Sequence, residues 1–144
     1  MSHYADSSFL VSCYVVDANT AQAQTYLSTH PVPLAFTVLH GLEVRNAVKL
    51  GVFRGLFPAS AATAALANLE KDLRRGRLVR TAVKWPLAFR LAARMSEWHT
   101  ITTGNRSLDI LHVAVARSLR TTDFISFDLR QRALAVLAGL KVAP

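Results

Sequence analysis

Short apolar runs alternate with longer segments of helical periodicity along the whole chain. The short runs are rich in β-branched or aromatic residues, which favour strands. They are residues 3–5, 34–38, 100–102, 124–127 and 141–143. Strands that alternate with helices in this way predict an α/β fold around a mostly parallel sheet.

Five helical segments lie between these runs. In each, apolar residues recur every three or four positions, which places them on one helix face. The segments are residues 39–50, 62–73, 87–98, 108–119 and 129–140. Pro86 suits the first position of a helix, and Ser107 and Asp128 are typical N-cap residues.

The composition indicates one folded domain over residues 1–144. Half of the 144 residues (51%) are hydrophobic and 18% are charged, which excludes a disordered basic tail. The single cysteine, Cys13, cannot form an internal disulfide, so we expect a reducing, cytoplasmic compartment. The longest uncharged stretch, residues 18–42, contains polar residues and prolines and is not a membrane span. No basic region precedes the first apolar run, so a signal peptide is not expected.

The charge balance favours a nucleic-acid partner. The chain has 17 Lys and Arg against 9 Asp and Glu, a net charge of +8, and 13 of the 17 cations are arginines. A guanidinium matches the geometry of a phosphate. The alternative is that arginines solvate an unusually apolar domain. The densest basic stretch could follow an RNA backbone or be a solvated helix end. Its residues are Lys71, Arg74, Arg75, Arg77 and Arg80.

Three of the nine acids stand where a strand or loop passes into a helix. Taken singly, Asp6 and Asp128 could be N-caps, and Asp109 could be a first-turn acid favoured by the helix dipole. Taken together, they point to the carboxyl ends of parallel strands, where ligands bind in such sheets. Glu43 falls on the apolar stripe of its helix, where a carboxylate needs a cation or hydrogen-bond donors. A salt bridge to an arginine is the structural alternative for Glu43.

Acids gathered at one edge repel one another unless a cation joins them. Mg²⁺ and Mn²⁺ prefer carboxylate and water oxygens. A metal held by acids within an arginine-rich chain indicates phosphodiester chemistry, in which the metal activates water and stabilises the charge on the phosphate.

Four segments of the chain resemble the motifs of PIN-domain ribonucleases. They are YADSSFLV at residues 4–11, LEVRNA at 42–47, SLDILHVA at 107–114 and FISFDLR at 124–130. The resemblance extends over nearly the whole chain and is closest to the VapC-like toxins of bacterial toxin–antitoxin systems. His40 departs from the family pattern, in which a small hydroxyl residue is more usual.

The resemblance implies a three-layer α/β/α sandwich and an Mg²⁺-dependent endoribonuclease that uses metal-activated water. Its catalytic and metal-binding acids would be Asp6, Glu43, Asp109 and Asp128, and Ser126 would support the metal or Asp128. The stretch that contains Arg74, Arg75, Arg77 and Arg80 would bind the RNA. The resemblance also implies a homodimer and an inhibitory antitoxin that covers the site.

Other functions stay open at this point. A nuclease of RNA maturation without an antitoxin, or a non-catalytic RNA-binding module, could share these motifs. His112 could be a metal ligand, but its place on an apolar stripe favours a hydrogen-bonded core histidine. Cys13 lies among apolar residues and is better explained as a small buried side chain than as a nucleophile.

Overall fold

The computed structural model describes residues 2–144, which form five strands and seven helices. The strands are β1 (His3–Ala5), β2 (Leu34–Phe36), β3 (Leu78–Arg80), β4 (Asp123–Ile125) and β5 (Lys141–Ala143). The helices are α1 (Ser7–Tyr14), α2 (Thr20–Thr29), α3 (Val38–Phe53), α4 (Ala59–Arg74), α5 (Trp85–Thr103), α6 (Ser107–Ser118) and α7 (Leu129–Leu137). The strand order in the sheet is β3-β2-β1-β4-β5, and the pairs β1–β4, β4–β5 and β2–β3 are parallel. The predicted α/β class is confirmed.

The chain separates into two compact units. The first unit contains Met1–Asp6 and Ala82–Pro144, and the second contains Ser7–Thr81. The prediction of a single domain over residues 1–144 stays a prediction.

The first unit is built on α6 and the strands β1, β4 and β5. Every residue from Ile110 to Ala116 in α6 is buried, so this helix is enclosed rather than amphipathic. The register pairs Tyr4 with Phe124, and their rings stack at 5.9 Å between centroids. Since β1 and β4 are parallel and in register, their carboxyl ends lie side by side.

The second unit packs α1 to α4 with the parallel pair β2–β3. One part of its core joins α3 to α4 through Val48, Ala62 and Ala65. Gly51 lies against the ring of Phe57, where a Cβ atom would overlap the aromatic carbons. The close contact therefore requires a glycine at this position of α3.

The strand predicted at residues 100–102 is wrong. Thr100, Ile101 and Thr102 lie in the last turn of α5. The C-cap of this helix is Gly104, whose backbone is left-handed with φ 66°. β-Branched residues lower helix propensity only slightly, so the nineteen-residue helix continues through them. The sequence patterns also missed β3 and α2.

Two smaller expectations about helix positions also change. α6 begins at Ser107, with Arg106 rather than Ser107 in the N-cap position. The buried face of α3 carries His40, Val44 and Val48, so the stripe that includes Glu43 lies beside the core and is only partly buried. Among residues 2–144, no helix combines the length and the apolar character needed to cross a bilayer.

Candidate functional site

Asp6 and Ser126 meet where β1 and β4 end. The backbone N–H of Asp6 donates to the carbonyl of Ile125 at 3.0 Å, which continues the strand pairing by one residue. The hydroxyl of Ser126 donates to Oδ2 of Asp6 at 2.6 Å. Asp6 is 3% exposed and Ser126 is fully buried. A buried carboxylate needs such donors, so Ser126 is well placed to hold Asp6 in one orientation.

The same hydroxyl connects Asp6 to the start of α7. The backbone N–H of Asp128 donates to Oγ of Ser126 at 3.0 Å. Asp128 is the N-cap of α7, and its Oδ1 accepts from the backbone N–H of Gln131 at 3.0 Å. Aspartate is favoured at this position because its short side chain reaches the free N–H groups of the first turn. Asp128 therefore has a structural role in the helix as well as its predicted role in the site.

Gln131 links the third predicted aspartate to this cluster. Its Oε1 lies 3.1 Å from Oγ of Ser126, and its Nε2 donates to the backbone carbonyl of Asp109 at 3.1 Å. The carboxylate of Asp109 lies in the first turn of α6 and accepts from Nε of Arg106 at 3.1 Å. The structure thus joins three of the four predicted acids in one hydrogen-bonded cluster, which we call the Ser126 cluster. It contains Asp6, Asp109, Ser126, Asp128 and Gln131.

Gln131 is a residue of this cluster that was not predicted from the sequence. Its signal was present, because Asp128 followed by a glutamine three residues later resembles a capping box. That pattern predicts a bond from Gln131 back to the backbone of the N-cap. In the structure the amide instead turns to Ser126 and Asp109, and Gln131 is 1% exposed.

Glu43, the fourth predicted acid, belongs to the second unit. It lies on α3, is partly buried, and its Oε1 accepts from the hydroxyl of Ser7 at 3.0 Å. Ser7 is the first residue of α1. On the same helix, Arg45 forms an ion pair with Glu70 of α4.

The donor chemistry of the Ser126 cluster suits a hard divalent cation. Carboxylate oxygens are the ligands that Mg²⁺ and Mn²⁺ prefer, and a hydroxyl that orients a carboxylate commonly supports such a site. Within residues 2–144, no group of three or more His, Cys, Asp or Glu side chains is already arranged as a metal site. The four-acid metal set stays a prediction.

His112 and Cys13 have structural environments. His112 is 2% exposed, and its Nδ1 lies 2.7 Å from the hydroxyl of Tyr4, as expected for a hydrogen-bonded core histidine. The thiol of Cys13 donates to the carbonyl of Phe9. Burial, with the nearby carboxylates of Asp72 and Asp17, raises the pKa of Cys13 to about 12. The thiol is therefore protonated at neutral pH and is a poor nucleophile.

The predicted RNA-binding arginines lie in the second unit, at the end of α4 and in β3. All four are exposed, as expected for either interpretation of this stretch. Arg77 pairs with Asp72 at 3.5 Å, and Arg80 pairs with Glu70 at 3.6 Å. Arg74 and Arg75 form no ion pair within residues 2–144.

The unusual residue His40 has a local explanation. It is fully buried at the third position of α3, and its Nδ1 accepts from the backbone N–H of the N-cap Thr37 at 3.0 Å. The hydroxyl of Thr37 accepts in turn from the N–H of His40, which completes a capping box. At this position a histidine therefore performs the reciprocal role that Glu or Gln usually has.

Solved structures share this arrangement of elements. VapC20 of Mycobacterium tuberculosis, a Sarcin-Ricin loop cleaving toxin, has a TM-score of 0.67 at 18% identity, with 99% of this chain and 100% of that chain covered. The chain has a VapC-like fold. FitAcB from Neisseria gonorrhoeae has a TM-score of 0.65 at 14% identity, with 99% of this chain and 96% of that chain covered.

Sequence comparison adds no relative to these two structures. No family model and no curated protein matches the chain. The VapC-like fold confirms the PIN-like architecture that the four sequence motifs implied.

Proposed function

We propose that this protein is a metal-dependent endoribonuclease and the toxin component of a toxin–antitoxin pair. The observation that carries the proposal is the Ser126 cluster, in which Asp6, Asp109 and Asp128 are connected where β1 and β4 end. VapC20, a toxin that cleaves the Sarcin-Ricin loop, has the same fold. That likeness supports a nuclease function here.

In this proposal Asp6, Glu43, Asp109 and Asp128 bind Mg²⁺, for which Mn²⁺ can substitute. The bound cation supplies a more acidic water and positive charge beside the scissile phosphate. Ser126 acts as a positioning residue, because its proton fixes one oxygen of Asp6. Gln131 keeps the start of α6 close to the start of α7, since it bonds to both.

Arginines would place the RNA through its phosphates. The exposure of Arg74, Arg75, Arg77 and Arg80 supports this role. Such contacts are independent of base sequence and weaken with salt. The RNA that is cut would be selected by other features, because phosphate contacts carry no base information.

Exposed apolar side chains support a protein partner. On α5, Trp98 is 66% exposed and Ile101, three positions later and therefore its neighbour on the helix surface, is 97% exposed. Large exposed apolar groups near one another commonly mark an interface. We propose that an antitoxin and a second copy of the chain use such surfaces in the cytoplasm.

The experiment is RNA cleavage by protein freed of antitoxin, with Mg²⁺ or Mn²⁺ added after chelation. Asp6→Asn and Asp109→Asn should abolish cleavage, because each removes a charge that the cation needs. Glu97→Gln is the matched control, since Glu97 is exposed on α5 and outside the cluster. Undiminished cleavage by both aspartate variants, at wild-type thermal stability, would refute the site.

Metal binding gives a second readout. A ligand that binds only the folded state raises the melting temperature. We expect Mg²⁺ to raise it for the wild type and not for Asp6→Asn. RNA binding without metal stabilisation or cleavage would instead identify a non-catalytic module. Cleavage by a protein whose gene lacks a neighbouring antitoxin frame would identify a processing nuclease.

A further inference from the structure

A surface depression lies in the first unit, where β4 and β5 begin. Its volume is about 490 Å³, and it is formed by the end of α6 and the loops that enter the two strands. The lining residues are Arg117, Arg120, Thr121, Thr122, Gly139 and Lys141. Three of the six are cations and none is an acid. We call this feature the basic depression.

The three cations of the basic depression lack acidic partners. In the described part of the chain, Arg117, Arg120 and Lys141 form no ion pair, and all three are exposed. Asp123 lies opposite Lys141 in the strand register, and its carboxylate accepts from the hydroxyl of Thr122. Like charges held together without counter-charges repel one another and create a positive potential that attracts anions.

Helix dipoles do not account for this charge. α6 and α7 both end near the depression, and each carboxyl end carries roughly half a negative charge. Together, the two helix ends offset about one of the three positive charges. No side-chain hydrogen bond joins these three residues to a helix carbonyl within residues 2–144. The remaining positive charge is available to a ligand.

The backbone of Arg120 is an independent observation. Arg120 follows Leu119, the C-cap of α6, and has φ 59°. Glycine is the usual residue at such a position, because a Cβ atom is strained there. The other described residues with a positive φ are all glycines: Gly55, Gly76, Gly104 and Gly139. Strain of this kind is retained where a side chain has a function.

We propose that the basic depression binds consecutive phosphates of the RNA backbone at a distance from the cleavage site. This inference rests on the proposed endoribonuclease function. Arginine and lysine are the side chains that neutralise phosphates, and none of the six lining residues is aromatic, so the depression offers no ring on which a base could stack.

The distance between the two sites defines which RNA can use both. β4 runs from the depression towards the Ser126 cluster, and the four steps between the five residues from Thr122 to Ser126 span roughly 13 Å in an extended strand. Phe124 and Ile125 of β4 are fully buried, so an RNA cannot follow this line and must take a longer path over the surface. An RNA of a few nucleotides therefore reaches only one site. A longer RNA reaches both and gains affinity from the depression.

The test measures RNA affinity against salt in an Asp6→Asn background, which prevents cleavage. The probes are a 40-nucleotide and a 4-nucleotide RNA. The slope of log K against log salt is negative. For the longer RNA, each lost phosphate contact should reduce the steepness of this slope by about 0.7. We expect a decrease of about 2 for the combined Arg117→Gln, Arg120→Asn and Lys141→Gln variant. The slope for the shorter RNA should not change.

Arg54→Gln is the matched control, because Arg54 is exposed, unpaired within residues 2–144 and outside the depression. Its salt slope should equal that of the parent protein. A loss of about 0.7 in Arg54→Gln, one third of that in the combined variant because one charge is removed instead of three, would show only a general charge effect and would overturn the proposal. A slope unchanged in the combined variant would also overturn it.

Arg120→Asn separates a binding role from a structural one. Asparagine tolerates the left-handed region better than arginine, so the melting temperature should stay the same or rise. Binding of the longer RNA should weaken at the same time. A lower melting temperature with unchanged binding would assign Arg120 to the fold and refute its part in the proposal.

The two proposals can fail separately. RNA cleavage that depends on the acids, with a salt slope unaffected by the combined variant, would retain the nuclease and refute the basic depression. Absence of cleavage, with the expected loss of slope, would refute the nuclease and support the depression as an RNA-binding surface.

Discussion

The two ends of β4 have opposite chemistry. At the carboxyl end, Asp6, Asp109 and Asp128 are joined through Ser126 and Gln131 by hydrogen bonds of 2.6 to 3.1 Å. At the other end, the three cations of the basic depression have no ion-pair partner among residues 2–144. The acids are held by contacts within the protein, whereas the cations are exposed and form no ion pair among these residues. Cleavage requires acids that are held in place, as they are at the first end. Binding requires cations that a ligand can reach, as at the second end.

Replacing Ser126 should disturb the ordered end most. Ser126→Ala removes the donor to Asp6 and the acceptor of the Asp128 N–H. Loss of a group that orients a metal ligand typically lowers metal affinity or activity about 10- to 100-fold. Cleavage rates over a Mg²⁺ titration would measure this.

Ser118→Ala serves as the control for that experiment. Ser118 is a partly buried serine of α6 whose hydroxyl donates to the carbonyl of Val115, away from the acids. Its variant should cleave RNA at the wild-type rate. Equal rates for both serine variants would remove Ser126 from the site.

Gln131 gives the next largest effect, on stability. Gln131→Leu removes the bonds of the amide to the Ser126 hydroxyl and to the Asp109 carbonyl, and each such hydrogen bond contributes about 0.5 to 1.5 kcal/mol to stability. We therefore expect a loss of about 2 kcal/mol in the free energy of unfolding, measured by urea denaturation. Gln24→Leu, at an exposed position of α2, should change it by less than about 0.5 kcal/mol.

Arg106 should have the smallest effect. The side chain of Arg106 is 83% exposed, so its ion pair with Asp109 is screened by water and salt. Arg106→Ala should lower the free energy of unfolding by less than about 1 kcal/mol. A loss above about 2 kcal/mol in the same urea experiment would mean that Arg106 orders the carboxyl end in a way that the hydrogen bonds do not describe.

The ordered end was largely predictable from the sequence because its rules are local. A short polar side chain that follows a strand and precedes an apolar helix stripe identifies a junction, and Asp6 and Asp128 occupy such junctions. Parallel pairing then brings the junctions to one edge. The position of the Gln131 amide depends on α6 and α7 being neighbours, which no local pattern specifies.

The wrongly predicted and missed elements have other causes. β3 is three residues long and follows directly on a basic stretch, so it shows no periodicity. The strand predicted for residues 100–102 rested on β-branched side chains, whose preference is weaker than the continuity of α5. The left-handed backbone of Arg120 leaves no trace in residue type, because arginine is not a residue that usually adopts it.

The Ser126 hydroxyl has one proton and two acceptors within reach. Oδ2 of Asp6 lies at 2.6 Å and Oε1 of Gln131 at 3.1 Å, so only one of them can receive the proton at a time. An ionised Asp6 attracts that proton more strongly than a neutral amide does. Ser126 therefore keeps its shorter bond with Asp6 and its longer one with Gln131, so a single hydroxyl ties the end of β1 to the base of α7.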